Sequence, residues 1–186
     1  MALAIFENGP TIVQVKGHAG SLISSLSTLG NSEGQITWNP KFYHDDVIVG
    51  GTYGPSVPVD CQFFLADATI SMNLVYYDQD ILDACIQEAN AGATAFGTMP
   101  RAGTLMGGQF TRFTSGNHFI GLNLTSPVES KPMRFLAAYL TGQPLSYPIG
   151  PERSIVQLNW RAIPYPAGNI LSGSASISLW DRTLDT

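Results

Sequence analysis

The chain has 186 residues, 44% of them apolar and only 12% charged, with nine Lys and Arg against fourteen Asp and Glu for a net charge of −5. So large an apolar share excludes disorder, and a charged share half the roughly 25% of an ordinary soluble domain predicts a surface largely given over to other subunits. The three lysines, Lys16, Lys41 and Lys131, lie far apart, and an acidic chain without clustered cations lacks the surface that grips a phosphate backbone, so no tight nucleic-acid binding is expected.

From its start the chain reads as a succession of short strands broken by nineteen Gly and twelve Pro. Met1 to Pro10 has neither the basic start nor the long apolar run of a secretory signal, and nowhere does an apolar run approach the roughly 18 residues of a membrane span; no membrane contact is expected, and synthesis in the cytoplasm is. Thr11 to Lys16 is the first strand. Residues 17–34 read as an extended loop or arm. Gln35 to Trp38 and Val47 to Val49 are short strands flanking an exposed turn at Asn39-Pro40, and residues 50–58 carry too many breakers for regular structure. Val59 to Phe64 resumes as an edge strand. Ala68 to Tyr77 alternates, with Ile70, Met72, Leu74 and Tyr76 on one face and Thr69, Ser71 and Asn73 on the other. A helix over residues 80–89 follows, with Asp80 as its cap and Ile81, Leu82, Cys85, Ile86 and Ala89 on its apolar face.

Beyond the helix, Gly97 to Gly108 reads as a flexible loop, Asn117 to Leu124 as a strand, and Met133 to Leu140 as the antiparallel partner of Ser154 to Ile163, whose Val156, Leu158, Trp160 and Ala162 point inward. Between those partners lies a second long loop, residues 141–153, stiffened by prolines. Ser174 to Trp180 closes the chain with another alternation. The fold class expected is mainly β, an antiparallel sandwich or barrel with one short helix, in a single domain over residues 1–186.

The residues that carry chemistry are sparse. His18, His44 and His118 are isolated, with only Asp45 and Asp46 beside His44, and the sequence has no nucleophile elbow, P-loop or dinucleotide fingerprint, so neither catalysis nor a metal or cofactor is expected. Asp78, Asp80 and Asp83 crowd the helix start as capping residues. Cys61 and Cys85 read as buried free thiols in apolar surroundings. Arg134, Arg153 and Arg161 lie in or beside the C-terminal hairpin, near Glu129 and Glu152, and are expected to set register between subunits, together with Pro144, Tyr147 and Pro148 of the second long loop.

Four stretches carry a likeness to a known group: Gly30-Asn-Ser-Glu-Gly-Gln-Ile36; Pro58-Val-Asp60 leading to Ala68-Thr-Ile-Ser-Met-Asn-Leu74; Arg134-Phe-Leu-Ala-Ala-Tyr139; and Tyr147-Pro-Ile-Gly150 with Asn159-Trp-Arg-Ala-Ile-Pro-Tyr165. Together they resemble the structural proteins of tailed-bacteriophage virions, above all the tail tube proteins. The resemblance implies a β-sandwich or barrel subunit located in the virion. It also implies rings of six copies with inward sheets joined into one barrel, arms at residues 17–34 and 141–153 that reach other subunits, contacts with other virion proteins, and no enzymatic activity. The rival within the same class is a capsid decoration or cement protein, also β-rich and loop-armed, which binds the outside of a shell. The alternatives from other classes are a carbohydrate-binding β-sandwich with Trp38, Tyr43 and His44 as its platform, and a hydrolase without a recognisable site.

Overall fold

The computed structural model describes residues 10–18, 21–48, 58–89, 118–126, 132–141, 155–164 and 179–181. Eight strands and one helix lie among them, in the order β1 (Ile12–Gly17), β2 (Ser27–Ser32), β3 (Thr37–Ile48), β4 (Pro58–Tyr77), α1 (Gln79–Ala89), β5 (Ile120–Thr125), β6 (Met133–Leu140), β7 (Val156–Ala162) and β8 (Trp180–Asp181). Six of the strands form a closed antiparallel circuit, β2-β1-β5-β6-β7-β4, which returns to β2 through pairing of Gly30 to Ser32 with Leu74 to Tyr77. The mainly β class is therefore observed, with one helix among the described residues, and the architecture is a barrel. β3 lies outside the circuit on β4, and β8 on β6.

Alternation drives this closure. In β7, Val156, Leu158, Trp160 and Ala162 are fully buried, as their spacing predicts, and they meet Ile70, Met72 and Leu74 of β4 inside the barrel with Val13, Leu122 and Phe135 from the other strands. Side chains of this size each contribute about 1.5–3 kcal/mol on burial. Met133 to Leu140 does pair with the strand beginning at Val156, but only over Ala138 to Leu140; its longer partner is β5.

The first long loop is corrected, because residues 17–34 include β2. Its sequence, Ser-Thr-Leu-Gly-Asn-Ser, has little β propensity, yet it is paired on both sides, with β1 and with β4. Gly30 is part of that seam: a Cβ there would lie 2.1 Å from the Tyr76 carbonyl oxygen, so what resembled a loop glycine is a place where two strands approach too closely for a side chain. The expected turn at Asn39-Pro40 is also absent. Thr37 to Ile48 is one unbroken strand, and Pro40 is tolerated because, among the described residues, no strand lies on the outer side of β3. Val59 to Phe64 and Ala68 to Tyr77 are likewise one strand of 20 residues, β4, which takes β3 over residues 58–71, β7 over 68–74 and β2 over 74–77.

α1 packs against β6 and β2 with Leu82 and Cys85 fully buried. Its cap is Asp78, not Asp80: the Asp78 Oδ1 accepts hydrogen bonds from the backbone N–H of Asp80 (3.0 Å) and of Ile81 (3.2 Å). The cap moves back because β4 ends at Tyr77 and Asp78 donates its own N–H to the Leu29 carbonyl, 2.9 Å away, which fixes the helix entry on β2. Asp78→Ala is expected to lower stability by about 1 kcal/mol, seen as a shift in the urea midpoint with an unchanged slope. The cysteines divide, since Cys85 is buried whereas Cys61 is exposed, on a stretch of β4 that leaves the barrel. The expected strand at Ser174 to Trp180 is described only from Leu179, and the loops at residues 97–108 and 142–153 lie outside the described residues.

Candidate functional site

Where β4 runs beyond its pairing with β7, residues 58–67 have one strand partner among the described residues, residues 41–48 of β3. The result is a two-stranded arm of about 25 Å at roughly 3.3 Å per residue. Lys41, Phe42, Tyr43, His44, Asp45 and Asp46 on β3, and Asp60, Cys61, Gln62 and Phe63 on β4, are all exposed. Three large aromatics stand out among them: Phe63 is 57% exposed, Phe42 51% and Tyr43 42%. His44 and Phe63, directly opposite each other, meet edge to face with ring centroids 5.7 Å apart. A lone two-stranded ribbon is marginal in water, and this one carries its apolar area outward, so covering it with a further surface is favourable.

Two further features of the arm come from its register. Two positions of β4, 64 and 59, have no opposite residue: Tyr43 faces Leu65 while His44 faces Phe63, and Val47 faces Asp60 while Ile48 faces Pro58. Both irregularities fall on β4, so β3 keeps its regular alternation along the outer edge. At the root of the arm the outward face of the sheet becomes uniformly polar. Thr37, Ser71 and Asn159 form one row across β3, β4 and β7, Asn39, Thr69 and Arg161 a second, and Asn73 and Gln157 stand beyond them. Ser71 Oγ donates to Asn159 Oδ1 at 2.8 Å.

Arg161 and Arg134 both have partners within the chain. Arg161 donates through Nε (3.0 Å) and a terminal nitrogen (2.6 Å) to Oδ2 of the buried Asp67, and this hydrogen bonding, first among several causes, raises its pKa further above the ordinary arginine range. The pair neutralises the only cation of the polar rows. Arg134, 7% exposed, directs Nε to Asn123 Oδ1 at 3.4 Å, and Asn123 in turn donates to Gln14 Oε1 at 2.7 Å, linking β6, β5 and β1. Glu129 and Glu152 lie with Pro144, Tyr147, Pro148 and Arg153 outside the described residues.

A second polar cluster joins segments far apart in sequence. Glu88, 1% exposed on α1, accepts hydrogen bonds at Oε1 from Ser21 Oγ (2.8 Å) and the Leu22 N–H (2.6 Å), while Oε2 meets His118 Nδ1 at 2.7 Å. Both oxygens are engaged and closed to solvent, so the carboxylate ties the 21–23 segment and the entry of β5 to the helix instead of presenting an acid or base to a substrate. His118 is thus not isolated, as sequence spacing alone implied. Among the described residues no three His, Cys, Asp or Glu side chains come together to hold a metal ion. Nor do Trp38, Tyr43 and His44 form one platform: Trp38 packs inward, 6.1 Å from Phe135, while Tyr43 and His44 are consecutive on a regular strand and face opposite ways.

The chain matches no protein-family model and no curated protein. The arm, the polar rows at its root and the Glu88 cluster are what the molecule itself offers for a functional reading. Pairings such as Glu88 with His118 and Arg161 with Asp67 leave no trace in spacing. The run of rings Phe42-Tyr-His44 between Lys41 and Asp45 was the available sign of the arm, obscured by the adjoining proline.

Proposed function

We propose that the protein is a structural subunit of a phage virion, a tail tube protein whose copies stack as rings of six around a channel that conducts DNA. The observation that carries this reading is the arm: a closed barrel needs nothing from outside, but a ribbon bearing exposed Phe42, Tyr43 and Phe63 gains by packing on other subunits. The low charge of the whole chain points the same way. The rows of hydroxyl and amide groups on β3, β4 and β7, with Arg161 neutralised by Asp67, supply a surface along which a polyanion passes without being held. In this reading the chain performs no catalysis and has no cofactor; its partners are its own copies and other virion proteins.

Negative-stain images of the purified full chain, combined with the mass of the native assembly, test the proposal. Stacked rings or tubes are the expected result. Monomers or trimers at high concentration would favour a capsid decoration or cement protein. The conduit reading makes a second demand, that the assembly show no measurable affinity for duplex DNA at physiological salt. Micromolar binding that weakens steeply as salt is raised would count against it, because each phosphate contact is a brake on moving DNA.

A further inference from the structure

The arm also specifies how one copy meets another. We propose that two copies join through the open edge of β3, their Lys41 to Asp45 segments paired antiparallel across a two-fold axis at Tyr43. Among the described residues β3 is a terminal strand of the sheet, its edge is regular because both irregularities belong to β4, and residues 41–46 are exposed. An edge in this state is a template for strand addition.

The partner and the register follow from the segment itself. In an antiparallel pair, opposite residues either both turn their amides toward the partner strand or both turn them away, and along one strand the two orientations alternate. A strand pairing with its own copy is therefore limited to registers that set one residue opposite itself. With Tyr43 on the axis, Lys41 stands opposite Asp45 of the second copy, Phe42 opposite His44, and Tyr43 opposite Tyr43, after which each relation repeats by symmetry. Opposite charges and aromatic pairs at directly opposed positions are the favourable cross-strand combinations. Moving the axis to His44 sets Phe42 against Asp46 and Tyr43 against Asp45, and moving it to Asp45 opposes two like carboxylates. Moving it to Phe42 sets Lys41 against Tyr43. The charges that guard the edge against indiscriminate pairing thus become complementary in one register. Pro40, which has no N–H to give, ends the paired stretch.

The aromatic side benefits as well. Within one chain His44 already meets Phe63 edge to face, and the second copy's Phe42 extends that contact into a row of three rings, twice over. Such a contact is isologous and closes at two copies. It goes beyond the ring reading and does not depend on it.

Cross-linking with charge reversal provides the test. In a Cys61→Ser background, which removes the exposed native thiol, Tyr43→Cys places two sulfurs across the axis on Cα atoms about 4.5–5.5 Å apart, within disulfide range. A disulfide-linked dimer is expected on mild oxidation, and Phe42→Cys in the same background is expected to give little. Sedimentation of the unlinked full chain is expected to show dimerisation weakened about tenfold by Lys41→Asp and regained in Lys41→Asp/Asp45→Lys, with unchanged circular dichroism throughout. Equal cross-linking at positions 42 and 43, no cross-linking at 43, or a dimer indifferent to Lys41→Asp would each overturn the pairing. Efficient cross-linking at 43 in a protein that forms no rings would count against the ring proposal alone.

Discussion

Gly30→Ala is expected to cause a large loss of stability, about 3 kcal/mol or more against a total of about 5–15. The added Cβ would sit 2.1 Å from the Tyr76 carbonyl oxygen and 2.9 Å from the Tyr77 Cα, and both are backbone atoms that no rotamer change can remove. Relief requires β2 and β4 to separate, which breaks the pairing that closes the barrel and disturbs the hydrogen bond between Asp78 N–H and the Leu29 carbonyl at the helix entry. The check is a urea unfolding curve of the variant beside one of Gly34→Ala. Gly34 has a positive φ of 74° but nothing within 4 Å of an added Cβ, so its replacement is expected to cost only about 1 kcal/mol. Equal losses at the two positions would show that backbone conformation, and not the seam, sets the cost.

Acid is expected to destabilise the fold through His18. This side chain is 6% exposed, and burial pushes its pKa down from 6.5 to about 4, a hydrogen bond with the Leu136 backbone offsetting part of the effect. A folded-state pKa below the unfolded one means that the unfolded chain takes up the proton first. The stabilising contribution of the neutral imidazole is accordingly complete above pH 6.5 and is lost as pH falls through 6.5 toward 4, an interval of 2.5 pH units worth about 3 kcal/mol. Unfolding free energies measured at pH 7 and pH 4.5 are expected to fall more steeply for the wild type than for His18→Gln, which retains a donor but cannot charge. Parallel pH profiles for the two proteins would remove His18 from the account.

Strands with clean alternation were legible from sequence and the pairing of distant ones was not. Val156, Leu158, Trp160 and Ala162 declare their inward face because a half-buried strand must alternate, and α1 shows its apolar stripe for the corresponding reason at helical spacing. β2 was hidden because Ser27-Thr-Leu-Gly-Asn-Ser32 contributes chiefly Leu29 to the core and is held by partners on both sides, a tertiary circumstance outweighing local propensity. The arm was hidden by Pro40, whose missing N–H excludes it from central strands but not from an edge. In the candidate site, the residue types that would take part were visible, whereas their partners were not: Arg161 meets Asp67 over 94 positions and Glu88 meets Leu22 over 66, separations that no motif spans.

The placement of β5 between β1 and β6 bears on how the molecule is made. Gln14 pairs opposite Asn123, so β1 waits for more than a hundred further residues before its second neighbour exists. β1 and β2 can form their hairpin early, and β3 with β4 theirs, but the circuit cannot close until β7, ending at Ala162, has been synthesised. Until then the hairpins present unpaired edges to every other nascent chain. Speed of synthesis through residues 78–162, which separate β4 from the end of β7, therefore sets how long the unfinished barrel is exposed to mispairing.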